Sequence, residues 1–278
     1  MWQTSYDGKP TLFLVPTPIG NLEDITLRAL NVLKTVDVIF SEDTRETSLL
    51  LSQYKIKKRL ICLEDHNENV VKEKVLSFLE DGQSVAIVTD RGTPIISDPG
   101  YKTVKYIADL GFNVVSLPGA TAFVPALTAS AIEPLPFLFY GFLNSKESKR
   151  KKELESLKDL TYTMIFYEAP HRIEKTLNNM LEIFGNRIIS ISREISKKFE
   201  SIYRGDLKQT INGCSSLKGE FVIVVQGVHN VSNKDIDYIS LIDEYIKEGI
   251  MVSEAIKKVS KEYNINKNEL YNKYHGGK

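Results

Sequence analysis

The chain has 278 residues, of which 42% are hydrophobic and 26% charged, and its 36 basic residues balance its 36 acidic residues. This composition is typical of a globular protein with one large or two medium domains. It argues against a strongly basic nucleic-acid binder, although a local basic face is compatible with a neutral chain. The polar first ten residues and the lack of a long apolar run predict a cytoplasmic protein without a membrane segment.

Over the first 120 residues, short apolar runs alternate with amphipathic segments. We predict strands at residues 11–15, 38–40, 59–63, 84–88 and 113–117. The segments between them carry helical stripes, such as Leu27, Leu30 and Leu33 after the first strand. Alternation of strand and helix is typical of a parallel sheet. All the strands of such a sheet end at one edge, where ligands bind in open α/β folds.

A second α/β pattern follows Pro134 and Pro136, which interrupt regular structure. Strands are predicted at residues 138–141, 163–167, 187–192, 199–205 and 220–226, and the fourth of them is expected to start a hairpin. The last segments, 236–248, 253–263 and 267–274, predict three short helices. They are compatible with a helix-turn-helix, but a small helical cap is favoured because the tail has no excess of basic residues.

The loop Thr89–Gly100 follows the buried strand at 84–88 and is dense in Gly, Pro and Asp. An ordinary strand-to-helix turn is the simple alternative, but its length and rigidity favour a ligand-binding loop. Prolines lack an N–H donor, so this loop and the Pro16–Gly20 turn suit a neutral or cationic ligand better than a phosphate.

Several familiar classes of site lack their motifs in this sequence. There is no G-x-G-x-x-G after a strand, no G-x-x-x-x-G-K-[ST] and no G-x-S-x-G. The four histidines have no metal-ligand spacing, and the two cysteines form no zinc cluster, so we expect no metal. Nucleotide-phosphate and serine-hydrolase sites are therefore disfavoured.

Polar residues also follow three other predicted strands. The segments are Ser41–Arg45, Glu64–Glu68 and Phe166–Arg172. Acidic and Asn residues in the first two are also ordinary helix caps, so capping and function are both open there. In the third, His171 and Arg172 could touch a phosphate or transfer a proton, or could simply open an exposed helix.

A series of short motifs runs from residue 11 to residue 227. The motifs are Leu14–Leu22, Glu42–Arg45, Asp65–Glu68, Thr89–Gly100, Pro118–Ala122, Phe139–Leu143, Phe166–Arg172, Arg193–Glu200 and Gly219–Val222. In this order they resemble the RsmI family of small-subunit ribosomal RNA methyltransferases, within the tetrapyrrole methylase superfamily. The family usually has a small residue where this chain has Arg91. Either this side chain points away from the ligand, or the cofactor pocket is locally altered.

The resemblance implies an α/β fold of two αβα domains with mixed, mostly parallel sheets and a small C-terminal helical extension. The expected limits are residues 1–120, 121–229 and 230–278. It further implies S-adenosylmethionine in the cleft between the two αβα domains, usually in a homodimer. The implied reaction is methylation of the 2′-hydroxyl of a cytidine in the decoding region of 16S rRNA, in the small ribosomal subunit.

The resemblance also implies site residues. The cofactor contacts would be Pro16, Ile19, Gly20, Asp90, Gly92, Thr93, Ile95, Thr121, Ala122, Tyr167, Ala169, Phe221 and Val222. The RNA contacts would be Arg45, His66, Arg172, Arg193 and Lys198. Candidate bases for the hydroxyl proton are Asp43, Asp65, His66, Glu168 and His171, with Asp43, Glu168 and His171 taken as the catalytic set.

Two alternatives compete with this reading. One is another methylase of the superfamily, which would act on a corrinoid or on a protein. The other is a non-catalytic regulator that binds nucleic acid through its helical tail. The Glu42–Arg45 and Arg193–Glu200 segments are similar to the rRNA branch and favour the first hypothesis.

Overall fold

The computed structural model describes residues 2–5, 7–64, 66–214, 218–228, 237–263 and 266–276. By compactness, the chain divides into residues 1–227 and residues 228–278. Asp65, one of the candidate bases, lies outside the described residues.

The first half contains a five-stranded sheet in which all strand pairs are parallel. Its elements are β1 (Thr11–Leu14), α1 (Leu27–Thr35), β2 (Val38–Ser41), α2 (Thr44–Gln53), β3 (Arg59–Cys62), α3 (Glu68–Glu80), β4 (Val85–Val88), α4 (Tyr101–Asp109) and β5 (Asn113–Ser116). The strand order is β3-β2-β4-β1-β5. Every residue of β2 and β4 is buried, because helices cover both faces of the sheet.

Helices on opposite faces of this sheet bury separate apolar clusters. Leu33 of α1 and Leu51 of α2 belong to one cluster. Val75 of α3 and Ile107 of α4 belong to the other. α1 begins at a capping residue, Thr26, whose side chain accepts a hydrogen bond from the Ala29 N–H.

A second five-stranded sheet forms in the following segment. Its elements are α5 (Phe123–Thr128), β6 (Phe137–Phe142), α6 (Glu147–Leu157), β7 (Thr163–Glu168), α7 (Ile173–Phe184), β8 (Ile188–Arg193), β9 (Ser201–Asp206), α8 (Leu207–Cys214) and β10 (Phe221–Val225). The order is β6-β7-β10-β8-β9. β6 and β7 are parallel, and β10 is antiparallel to both its neighbours. The strand at 199–205 was expected to start a hairpin, but β9 instead ends one, because it pairs antiparallel with the preceding β8.

Parallel pairs outnumber antiparallel pairs across the two sheets, so the predicted α/β class with mixed, mostly parallel sheets is confirmed. The predicted limit after residue 120 falls between β5 and α5. Ala126 and Leu127 of α5 pack on β7 and β10 of the second sheet. The other limit, at residues 229 and 230, lies outside the described residues. The domain limits stay a prediction.

The tail consists of α9 (Tyr238–Lys247), α10 (Val252–Glu262) and α11 (Lys267–Gly276), which confirms the predicted helical extension. These helices share a small apolar core that includes Ile242, Ile256 and Leu270. Tyr274 of α11 donates a hydrogen bond of 2.7 Å to Asp243 of α9. None of the helices in the described part of the chain is both long and apolar enough to cross a lipid bilayer.

Candidate functional site

The turn after β1 and the loop after β4 are joined by paired backbone hydrogen bonds. Thr17 N donates to Gly92 O at 2.9 Å, and Gly92 N donates to Thr17 O at 3.0 Å. β1 and β4 are neighbours in the sheet, so their ends meet at the same edge. Gly92 has φ +88°, a left-handed conformation that favours glycine. The two proline-containing segments therefore form one rigid unit.

The ends of β2 and β5 are tied to the same unit. Asp43 N, after β2, donates to Asp90 Oδ1 at 3.1 Å. Thr93 Oγ1 donates to Ala120 O, after β5, at 3.0 Å. A Cβ at Gly119 would lie 2.6 Å from Cβ of Pro16, so this close approach requires glycine. Four strand ends of the first sheet thus converge on the Thr89–Gly100 loop.

The second sheet contributes the end of β7 and the beginning of β10. β10 runs antiparallel to β7, and the register pairs Phe221 with Glu168 and Val222 with Tyr167. The first residues of β10 therefore lie beside the last residues of β7, although more than fifty positions separate them in the sequence.

A cavity of about 450 Å³ lies between these two sets of strand ends. Many of the predicted cofactor contacts line it: Ile19, Gly92, Thr93, Thr121, Ala122, Tyr167, Ala169, Phe221 and Val222. The cavity therefore brings together residues that the sequence places more than 200 positions apart.

The remaining predicted contacts, Pro16, Gly20, Asp90 and Ile95, are not among its lining residues. Pro16 and Asp90 instead hold the neighbouring strand ends together, as described above. Ile95 packs against the apolar core of the first sheet. A Cβ at Gly20 would collide with the Lys197 side chain, so this glycine permits a close approach of the two segments.

Other residues line the cavity without having been predicted as cofactor contacts, although Glu168 among them was predicted as a base. They are Arg91, Ile96, Ser97, Asp98, Phe142, Glu168, Pro170, Ile195 and Glu220. Asp98 and Phe142 lie inside motifs recognised in the sequence, but nothing in the sequence distinguished them from their neighbours. Their position depends on how the two sheets meet, which composition and spacing do not encode.

The carboxyl group of Asp98, which lines the cavity, has a raised pKa. Burial raises its pKa to about 6, and the negative charges of Glu42 and Asp90 act in the same direction. A hydrogen bond with Thr89 opposes the increase. Thr89 Oγ1 donates to Glu42 Oε2 at 3.1 Å, so Thr89, Glu42 and Asp98 form one polar cluster in which the single hydroxyl proton is shared.

Asp43 is a weak base because it is paired with Arg45. Arg45 makes a bidentate contact with it, at 3.1 Å from Nε and 2.7 Å from Nη2. Hydrogen bonding to this guanidinium lowers the pKa of Asp43 to about 2. The Asp43 side chain also accepts the Arg45 N–H at 2.8 Å and thus caps α2.

Glu168 and Arg172 are bound to each other. The Glu168 side chain is fully buried, and its Oε1 lies 3.0 Å from Arg172 Nε. Glu168 also accepts hydrogen bonds from Ala169 N at 2.8 Å and from Thr176 Oγ1 at 2.5 Å. Arg172 Nη2 donates to Leu143 O at 2.6 Å. Both groups are thus engaged by other protein groups, and neither can act as the predicted base or phosphate contact without breaking these contacts.

The remaining predicted residues are more accessible. His171, His66, Arg45 and Lys198 are exposed. His66 Nδ1 lies 3.1 Å from Glu64 Oε2. Arg193 is half-buried and donates to the carbonyls of Lys218 and Phe199. None of these five residues is among those that line the cavity. In the described ranges, no cluster of three or more His, Cys, Asp or Glu side chains is placed to hold a metal ion.

The model of one protein family, Tetrapyrrole (Corrin/Porphyrin) Methylases, matches residues 11–211. The chain is 45% identical to "Ribosomal RNA small subunit methyltransferase I" of Bacillus subtilis and 41% identical to the protein of that name from Halalkalibacterium halodurans. Both alignments cover 98% of each sequence. Among solved structures, uroporphyrin-III C-methyltransferase from Thermus thermophilus, complexed with S-adenosylhomocysteine, matches with a TM-score of 0.57 and 16% identity. That match covers 78% of this chain and 97% of the other.

Proposed function

The chain belongs to the ribosomal RNA small subunit methyltransferase I family of the tetrapyrrole methylases, and we propose that it methylates a cytidine 2′-hydroxyl in the decoding region of 16S rRNA. The family resemblance expected from the sequence motifs is confirmed by identities above 40% over nearly the full length. The methyl donor is S-adenosylmethionine, whose demethylated product is present in the related Thermus structure.

The cavity fits this cofactor in size and in chemistry. Its volume of about 450 Å³ is within the usual range of small-molecule sites, ~300–1,000 Å³. Ile19, Tyr167 and Phe221 provide apolar walls, and Asp98 provides a negative charge suited to a cation. Pro16 and Pro94 interrupt the series of N–H groups that a phosphate would need. These features support a sulfonium ligand.

The loop that carries this site is conformationally strained. Ile95 has φ +76° and Ser97 has φ +70°, which are uncommon for non-glycine residues and especially for β-branched isoleucine. Such strain persists where the surrounding structure imposes it and is frequent at binding and catalytic sites. This observation supports Thr89–Gly100 as the principal loop of the site.

The chain's main contribution to the reaction would be alignment. S-adenosylmethionine supplies an activated methyl group, and its sulfur leaves as a neutral thioether that needs no acid. The protein must therefore hold the ribose hydroxyl in line with the methyl group and remove its proton. Alignment of two reactants can contribute ~7–11 kcal/mol. The unit formed by the Thr17–Gly92 hydrogen bonds and the Thr93–Ala120 contact provides the rigid framework for it.

The RNA would be bound by exposed cations outside the cavity. Lys198 is exposed and makes no ion pair with any described residue. It follows Lys197, which is paired with Glu194 and Glu220 near the cavity mouth. Exposed cations position RNA through its phosphates, whereas the 2′-hydroxyl distinguishes RNA from DNA. The resemblance also implies a homodimer, and a cytoplasmic location follows from the assembly of ribosomal subunits there.

The proposal is tested by offering labelled S-adenosylmethionine to purified small ribosomal subunits that lack the modification. A tetrapyrrole precursor and free DNA serve as competing substrates. We expect label only in 16S rRNA. Label in the tetrapyrrole, or in none of the substrates despite measurable cofactor binding, would contradict the proposed function.

A further inference from the structure

Three carboxylates line the cavity, and two of them are already neutralised. Glu168 is held by Arg172 and by the Thr176 hydroxyl. Glu220 is held by Arg91 at 2.7 Å and by Lys197 at 2.8 Å. Asp98 makes no ion pair with any basic side chain in the described part of the chain. It is therefore the cavity carboxylate whose oxygens are free of a cationic partner.

The surroundings of Asp98 favour its protonated form. Glu42 faces it from the loop after β2, Asp90 from the loop after β4, and Tyr167 from the end of β7. The first two are acids, and the third is a phenol whose own pKa is raised by burial. A hydrogen bond with Thr89 acts in the opposite direction and lowers the pKa of Asp98. Asp98 is therefore mostly ionised near neutral pH but accepts a proton more readily than an ordinary carboxylate.

We propose that Asp98 is the general base that removes the proton from the substrate hydroxyl, an inference that rests on the proposed function. The hydroxyl oxygen forms its bond to the methyl carbon while its proton passes to an Asp98 oxygen. The electron pair of the broken carbon–sulfur bond stays on sulfur. The proton then leaves Asp98 for solvent through the cavity mouth, and the carboxylate is restored for the next turnover.

Asp98 could instead serve only to attract the positive charge of the cofactor. The two roles differ in what they predict for a neutral ligand. S-adenosylhomocysteine has no sulfonium charge, so its binding reports on the pocket without that attraction. If the role is electrostatic, removal of the carboxylate lowers the affinity for S-adenosylmethionine but not for S-adenosylhomocysteine. If Asp98 is the base, its removal lowers the rate of methyl transfer in the bound complex.

The test compares Asp98→Asn with Asp109→Asn, which removes an exposed carboxylate paired with Lys105 at the end of α4. Calorimetry with each cofactor form is followed by single-turnover methylation of small subunits at saturating cofactor, across pH 5 to 9. We expect Asp98→Asn to bind S-adenosylhomocysteine like the wild type and to lose about 10²–10⁴-fold in rate. Asp109→Asn should match the wild type in both measurements.

The pH profile provides a signature that a merely structural role would not produce. The wild-type rate should fall on the acid side with an apparent pKa at or below about 6, because a bound cation lowers the pKa of a nearby acid. Asp98→Asn should lack this acid limb. Asp98→Glu should regain it at a reduced rate, and it provides the test if the Asn variant does not fold.

An unchanged single-turnover rate in Asp98→Asn at saturating cofactor would overturn the inference. So would an acid limb that persists in that variant. If the wild-type protein itself fails to methylate the subunit, the proposed function is wrong, and the two failures are therefore distinguishable.

Discussion

Arg91 Nη1 lies 2.7 Å from Glu220 Oε1, across the mouth of the cavity. Arg91 belongs to the loop after β4, and Glu220 immediately precedes β10. The pair therefore links the two sheets beside the proposed cofactor site. The Arg91 side chain lines the cavity and is held there by an acid of the opposite sheet.

Replacing Arg91 by Ala should change stability only slightly. Both side chains are more than half exposed, and exposed pairs contribute ~0.2–1 kcal/mol. Glu220 also keeps its contact with Lys197 at 2.8 Å. Urea denaturation of Arg91→Ala, Glu220→Gln and the double variant should give a coupling free energy below about 1 kcal/mol. A coupling above about 3 kcal/mol, typical of a broken buried pair, would contradict this description.

Gly92→Ala should weaken cofactor binding at least tenfold. A Cβ there would lie 3.3 Å from Ile19 Cγ2, in a left-handed backbone conformation at the cavity wall. Gly82→Ala is the matched control, because Gly82 has φ +82° but no atom within 4 Å of an added Cβ. Both variants carry a backbone cost of roughly 1–2 kcal/mol. Calorimetry with S-adenosylhomocysteine should show a loss for Gly92→Ala alone; equal affinities in both variants would exclude Gly92 from the site.

Glu168→Gln should destabilise the protein by ~3–5 kcal/mol, because it leaves the guanidinium of Arg172 without its charged partner in a largely buried position. Glu174→Gln provides the comparison, since Glu174 lies exposed in the first turn of α7, the helix that follows Arg172. This control should stay within ~0.5 kcal/mol of the wild type. Denaturant titrations measure both. A fully stable Glu168→Gln that has lost only activity would return Glu168 to the catalytic candidates.

Lys198→Ala and Arg45→Ala should affect RNA binding to different extents. Each phosphate contact contributes about 0.7–0.9 to the slope of log affinity against log salt concentration. Lys198 makes no ion pair in the described residues, so its removal should lower the slope by that amount. Arg45 is held by Asp43 in two contacts and should contribute less. Filter binding to small subunits at several salt concentrations measures both slopes. A larger decrease in slope for Arg45→Ala than for Lys198→Ala would refute the prediction.

Asp98→Asn should stabilise the protein at pH 7.5 while impairing it as an enzyme. The pKa of Asp98 is raised from 3.8 in an unfolded chain to about 6, so the folded state binds more protons between these values. The ionised carboxylate thus destabilises the fold above about pH 6, by roughly 1–2 kcal/mol after allowance for solvent screening. The variant's advantage should shrink as pH falls from 6 to 4. A less stable Asn variant at pH 7.5 would contradict the raised pKa.

Much of the fold was predictable because its signals are local. The buried runs of β2 and β4 and the three tail helices follow from periodicity and turn residues within a few positions of each other. The Thr89–Gly100 loop was recognised in the same way, from its density of Gly, Pro and Asp.

The chemistry of individual side chains was less predictable, because it depends on distant partners. Asp98 acquires its raised pKa from burial and from Glu42, which is more than fifty positions away in the sequence. From the sequence, Glu168 was a candidate base, and Arg172 was either a phosphate contact or part of an exposed helix start. The packing of α7 on the second sheet buries them, and sequence spacing alone does not report that burial.

The most direct test of the central claim is alkaline hydrolysis of 16S rRNA labelled by this protein in the small subunit. Alkaline cleavage requires a free 2′-hydroxyl, so a 2′-O-methylated nucleotide survives in a dinucleotide. We predict that the label appears in one alkali-resistant dinucleotide whose first base is cytosine. Label released in mononucleotides would show methylation of a base, and would contradict transfer to the ribose.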